Sequence, residues 1–355
     1  MALAVVGCGG DSEPVTVQAS GAALAAVQVD GGSWQPLELD ADGEAIVDAD
    51  GPFAVAVVCD TNGFFNYYTI YAGPGATPLW MQCWPPATVD LTIETASPTT
   101  RVWGRGFGDL GGGISVAVDR GTHDFVAIDD GTSPPRFEIR RDVTIDEDTT
   151  LELDDLRVSG APMNAAAIEV SGADPSESLL RTVWLVTPNA SAYYYRFDSG
   201  DSSMPVFPPD ALVGTDEQTV EASVRDVAGD VGRSARRRIT GDETSVALAL
   251  PPALGPVTPT FGDEITVTWE NDHDWTSTYF YVHDDSFAVY WDVMVLPSYV
   301  AAGGAPDPVR IPDPGQLPGW DPAWAITDST GLGWSFEASR SDGPSRTSAS
   351  RSGSF

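Results

Sequence analysis

The chain has 355 residues, and its 52 acidic and 18 basic side chains leave a formal net charge of −34, with every basic residue an arginine. So strong an anion is repelled by nucleic acid, whose binding draws on many cationic contacts, and by acidic membrane surfaces unless something else anchors it. Hydrophobic residues make up 42% of the chain, which excludes compositional disorder, while 36 glycines and 28 prolines scattered along it leave little room for long helices.

The N-terminus runs Met1 to Val6, then Gly7 and Cys8, then a small-residue stretch from Gly9 to Gly21. Val5-Val6-Gly7-Cys8 resembles the lipobox of bacterial lipoproteins. That resemblance implies lipidation at Cys8, with the acyl chains holding the protein on a membrane that it would not otherwise touch. The residues before Cys8 include no basic n-region, so either the start lies upstream of Met1 or the match is coincidental. Residues 1–20 read as lipobox and tether, although Val15-Thr16-Val17 also fits a first strand.

Cys59 and Cys83 remain as an even pair, as an exported protein should have. A bridge between them closes a loop of about 25 residues and contributes about 3.5 kcal/mol in the chain-entropy model; the other reading is two buried free thiols. Phe53–Cys59 is apolar on both faces, as a central strand would be. Leu151 and Leu153 alternate with Glu152 and Asp154, and Ile265, Val267 and Trp269 alternate with Thr266, Thr268 and Glu270. Between such runs stand Asp42-Gly43, Asp50-Gly51, Asn62-Gly63 and Asp130-Gly131, pairs that suit tight hairpin turns. Val220, Ala222 and Val224 fit a strand better than a helix, and Pro208–Leu212 reads as a short helical turn.

The pattern predicts an all-β chain of tandem antiparallel β-sandwich modules, transthyretin-like or immunoglobulin-like. Turn and proline clusters divide it into residues 21–86 with the cysteine pair, 87–158, 159–250, and 251–355. The Ser/Arg/Gly-rich tail from Ser339 is expected to fray. Val143–Asp154 resembles the last strands of carboxypeptidase-regulatory-like (transthyretin-like) modules. Ser115–Ala127 resembles that family's hairpin of a glycine and an aromatic-bearing strand, with Arg120 where the family usually has proline. Residues 256–282 look like the start of a fibronectin type III module, in which a strand tryptophan, here Trp269, packs against tyrosine in the next strand, here Tyr279 or Tyr281. Taken together the chain resembles the surface lipoproteins of high-GC bacteria that string such modules together. The resemblance implies a non-catalytic structural or binding array in the cell envelope, facing outside the cytoplasm, with a protein or glycan partner.

Nothing in the sequence matches Gly-x-Ser-x-Gly, His-Glu-x-x-His or a phosphate-binding loop, and without lysine no lysine-based mechanism is open. Gly104, Gly106 and Gly108 read as a loop or bulge. Asp40–Gly43 and Asp48–Gly51 mimic the centre of a calcium loop, but Ala49 and Val57 stand where the bidentate glutamate belongs, so both read as turns. One constellation remains for a divalent ion such as zinc: Asp272, His273 and Asp274 with His283 and Asp285. It requires the intervening strands to pair like a hairpin, and it carries the alternative function of a metal-dependent hydrolase or carbohydrate-binding protein. Two acidic loops with stray histidines are the other reading, and no other cofactor is indicated. Arg233, Arg236, Arg237 and Arg238 are expected to pair with carboxylates inside the protein. Tyr193–Tyr195, Trp320 and Trp324 either stack on sugars or fill cores.

Overall fold

The computed structural model describes residues 13–355 apart from 62–63, 82, 84–87, 198–201, 263, 271–272, 285–288, 306–307, 312 and 326–330. Most strands follow one another with short turns, and among the described residues only short helices interrupt them. The first sandwich holds β1 (Val15–Gln18), β2 (Leu24–Val29), β3 (Gln35–Pro36), β4 (Glu44–Val47), β5 (Phe53–Thr61), β6 (Phe64–Ala72) and β7 (Leu79–Trp80). The second holds β8 (Thr88–Thr95), β9 (Thr100–Gly104), β10 (Phe107–Leu110), β11 (Ile114–Asp119), β12 (Gly121–Asp129), β13 (Arg136–Ile145) and β14 (Thr149–Leu153), with β15 (Ala161–Pro162) added at its edge. The third holds β16 (Asn164–Ser171), β17 (Ser178–Thr187), β18 (Ala190–Phe197), β19 (Ser203–Val206), β20 (Glu217–Arg225), β21 (Val231–Ile239) and β22 (Ser245–Ala249).

These three sandwiches share one topology. In each, the fourth, first and seventh strands form one layer and the third, second, fifth and sixth form the other. In each, the first strand pairs antiparallel with the fourth and parallel with the seventh. The fourth sandwich differs. Its strands are β23 (Val257–Thr260), β24 (Ile265–Trp269), β25 (Ser277–Asp284), β26 (Val289–Val295), β27 (Val309–Ile311), β28 (Leu332–Asp342) and β29 (Ser345–Ser354). One layer is β23-β24-β27 and the other β29-β28-β25-β26.

The larger layers then fuse. β21 pairs antiparallel with β29, and β26 pairs parallel with β6. The result is one twelve-stranded sheet, β18-β17-β20-β21-β29-β28-β25-β26-β6-β5-β2-β3, running through the third, fourth and first sandwiches in that spatial order. Fusion explains why β5 is apolar on both faces. Phe53, Val55, Val57 and Cys59 enter the first sandwich's own core. Ala54, Ala56 and Val58 turn the other way, into a core shared with the fourth sandwich. Side chains alternate strictly along a strand, so a strand covered on both sides must be apolar throughout. Cys59 and Cys83 are joined by a disulfide at a Cα–Cα distance of 5.1 Å, within the first of these two cores.

Two expectations are corrected and one open choice is decided. The tail from Ser339 does not fray: β28 and β29 form a hairpin in the middle of the sheet, and Ala349 is fully buried. Its serines and arginines conceal the strand because one face of the sheet there stays open to solvent, so no apolar alternation is needed. Of the two tryptophans that could stack on sugars or fill cores, Trp324 is buried with Leu317 in the core shared by the first and fourth sandwiches, and the Trp320 ring meets both Tyr67 and Trp324, at 5.9 and 5.4 Å. Trp320 and Trp324 therefore serve packing. Trp269 packs on Phe336 of β28, with ring centroids 5.3 Å apart, and not on a tyrosine of the next strand. Inward-facing Phe280 lies between Tyr279 and Tyr281, so both tyrosines fall on the opposite face.

Candidate ligand-binding cleft

The second sandwich docks on the third through apolar side chains, among them Trp103, Val126 and Ile128 against Leu185, Ala192 and Phe207. Buried polar contacts fix this junction. Arg141 of β13 grips Asp216, with Nη2 donating to Oδ2 at 2.6 Å and Nη1 to Oδ1 at 3.2 Å, and also donates to the Ala211 carbonyl at 3.0 Å. Thr187 Oγ1 donates to Asp124 Oδ2 at 2.6 Å, while the backbone N–H of Asp142 donates to Oδ1 of the same carboxylate at 3.0 Å. Charge-assisted bonds of this kind set orientation as well as energy.

Where the two sandwiches meet, a cleft of about 270 Å³ opens, close to the lower end of small-ligand sites. Its aromatic wall is Trp103 of β9 with Tyr193 and Tyr195 of β18; centroids lie 5.6 Å apart for Trp103–Tyr193 and 6.0 Å for Tyr193–Tyr195. The cleft is also lined by Arg101 and Asp109, 3.6 Å apart, and Asp130. The Trp103 indole N–H is buried and has no acceptor among the described residues. A buried donor left unpaired is costly. Tyr195 remains 46% exposed, and Phe197 beyond it 66%.

The glycine triplet of this region shapes the wall. Gly106 takes φ +79° at the tip of the β9–β10 hairpin, and the register slips between Phe107 and Leu110, so the bulge reading holds. At Gly108 a Cβ would come within 2.7 Å of Trp103 Cδ1. A side chain there would have to push the indole aside.

A second aromatic group occupies the open face of the twelve-stranded sheet. Tyr279, Tyr281 and His283 succeed one another along β25, with centroid spacings of 6.4 and 5.1 Å. Tyr290 of β26 lies 5.9 Å from Tyr281, and its hydroxyl meets that of Tyr68 of β6 at 3.0 Å. Among them, Tyr279 donates to Asp292 Oδ1 at 2.6 Å. Burial pushes the Asp292 carboxyl up to about 6, against the opposing effect of the tyrosine hydrogen bond. Burial also raises the Tyr279 hydroxyl, with Asp292 adding to it, so Tyr279 stays a donor.

This fixes the sign of a pH effect. The unfolded carboxyl ionises near 4, so between pH 4 and 6 the folded state holds the extra proton and stability falls as pH rises; the cost above pH 6 is about 3 kcal/mol at most. Asp292→Asn is expected to gain about 2 kcal/mol at pH 8 and almost nothing at pH 4, as read from urea unfolding at the two values. An equal effect at both would show that ionisation is not the cause.

The residues nominated from the sequence are placed differently. Cys8, Asp272 and Asp285 lie outside the described residues. His273 stands before β25 beside Trp275, with ring centroids 6.1 Å apart, and lines a crevice with Asp274 and Asp342. His283 lies at the far end of β25, its Nδ1 2.9 Å from the Asp284 carbonyl oxygen. Ser277–Asp284 is a single unbroken strand rather than a hairpin, whose run from Ser277 to His283 alone spans about 20 Å, so the two histidines lie at opposite ends of it and do not converge. Among the described residues no three His, Cys, Asp or Glu side chains are grouped to hold a metal ion. Asp40 serves a turn, its Oδ1 accepting from the backbone N–H groups of Asp42 and Glu44, both at 2.9 Å. In the arginine cluster, Arg233 pairs with Glu177 and Arg238 with Glu217, whereas Arg236 stacks over Trp184 at 5.7 Å. The tyrosine triplet was visible in the sequence, but Trp103, Arg101 and Asp109 had no signal beyond the glycine bulge that carries them. No protein-family model matches the chain, and no curated protein sequence matches it.

Proposed function

We propose that the chain is a non-catalytic binding protein of the cell envelope, held on the membrane by a lipid on Cys8 and meeting a glycan in the cleft between its second and third sandwiches. The anchor is supported by the lipobox-like run Val5–Cys8 and the small-residue tether after it. The observation that carries the binding role is a cleft that the partly exposed Tyr193 and Tyr195 share with Arg101, Asp109 and Asp130. Sugar rings present apolar C–H faces that stack on aromatic rings, and their hydroxyls take hydrogen bonds from charged and amide-like groups at the rim. The bolted junction keeps this geometry in place before any ligand arrives, which limits the ordering cost of binding.

The test is a glycan array probed with the purified protein, followed by calorimetric titration of the best ligand. Tyr195→Ala is expected to weaken that binding about tenfold, or about 1.4 kcal/mol. Absence of any glycan ligand, or full affinity in the variant, would remove the reading.

A further inference from the structure

We infer that the cleft is one end of a longer site, and that the ligand is an extended, uncharged polysaccharide lying across the open face of the twelve-stranded sheet as far as the β25 tyrosines. The inference rests on the glycan reading of the cleft and extends it. Three observations carry it.

The first is continuity. From Tyr195 the rings pass through Tyr193 to Trp184, with centroids 5.2 Å apart at the second step. The Arg236 guanidinium lies over Trp184, and Arg236 stands directly across from Arg346 at the β21–β29 seam. Arg346 donates to Glu337 Oε1 at 3.1 Å, and Glu337 is the cross-strand partner of Tyr279. Six strand spacings separate β18 from β25, or about 29 Å. Along that path the sheet bears a groove of about 470 Å³, floored by serines and bounded by Glu221, Arg236, Glu337 and Arg346.

The second is charge. The chain carries −34 overall, yet this strip is balanced: Arg346 with Glu337, Arg238 with Glu217 at 2.9 Å, and Arg236 across the strand from Glu221. A face with both signs held in pairs neither attracts nor repels ions strongly. It offers many donors and acceptors to a neutral partner rich in hydroxyls, since each guanidinium carries five N–H donors.

The third is rigidity. The far platform is locked by its own hydroxyls, Tyr279 on Asp292 and Tyr68 on Tyr290. Its rings are half-buried and fixed before any ligand arrives, as a stacking platform requires.

The test titrates the full chain with soluble neutral polysaccharides (a β-glucan, a galactomannan and an arabinan), with short oligosaccharides of each, and with a polygalacturonate. At least one neutral polymer is expected to bind more tightly than its own oligosaccharide. In Tyr281→Ala the polymer-to-oligosaccharide affinity ratio should fall about tenfold; Tyr290→Ala, on the neighbouring strand, should do the same. Circular dichroism and melting temperature check that each variant folds. If Tyr195→Ala weakens binding while both far variants keep the wild-type ratio, the extension is wrong and the cleft reading survives. Tighter binding of polygalacturonate than of every neutral polymer overturns the uncharged assignment. Binding of no neutral glycan at all overturns both readings.

Discussion

A chain cut after Asp342 is expected to lose its cooperative unfolding transition, although the missing residues look like a dispensable polar tail. β29 is hydrogen-bonded on both sides, to β21 of the third sandwich and β28 of its own. Its removal exposes two rows of backbone donors and acceptors in the middle of a sheet, opens the seam between sandwiches, and uncovers the cores behind Ala349. Buried backbone groups without partners are each costly, and domains hold only about 5–15 kcal/mol in reserve. Ala349→Pro probes the same strand by one residue: it deletes an N–H in a central strand, where proline is not tolerated. Thermal melts and limited proteolysis report both variants. A truncated chain that melts as the full chain does would mean that β29 is not a structural strand at all.

The second large effect is expected at the junction behind the cleft. Arg141→Ala should cost about 3–5 kcal/mol, because it strands a carboxylate whose side chain is only 1% exposed. Asp216 keeps one backbone donor, the Val213 N–H at 3.0 Å, which does not replace a bidentate guanidinium. The double change Arg141→Ala with Asp216→Asn should recover much of the loss, since it removes the buried charge along with its partner. Urea unfolding of the wild type, the single variants and the double variant closes the cycle. Additive losses would show that the pair does not interact. The single variant should also weaken glycan binding, since the cleft exists only while the two sandwiches hold their angle.

The strands themselves were legible because alternation is local. β24 shows buried positions at Ile265, Val267 and Trp269, and β14 at Leu151 and Leu153, as their period-two patterns require. The cysteine pair and the Asp-Gly turn at Asp42-Gly43 were legible for the same reason, since each is a property of residues near in the chain or few in number. The two histidines of the metal constellation do not meet, because residues of high β propensity, Thr278 to Val282, make one continuous strand between them; Asp272 and Asp285 lie outside the described residues. β29 failed because a strand on a half-open sheet needs few apolar residues.

Composition and periodicity alone determined that this chain is all-β, built as serial sandwiches, and turned on glycine and aspartate; they left the Cys59–Cys83 bridge open against two free thiols, and the structure forms it. Tertiary structure decided which edges joined: β6 to β26, β21 to β29, and the second sandwich to the third. Every strand edge offers the same row of amide and carbonyl groups, so an edge carries no mark of its intended partner. The partner is selected by side chains far away in sequence that pack only once the layers meet, and the cleft and the open aromatic face exist only as products of that choice.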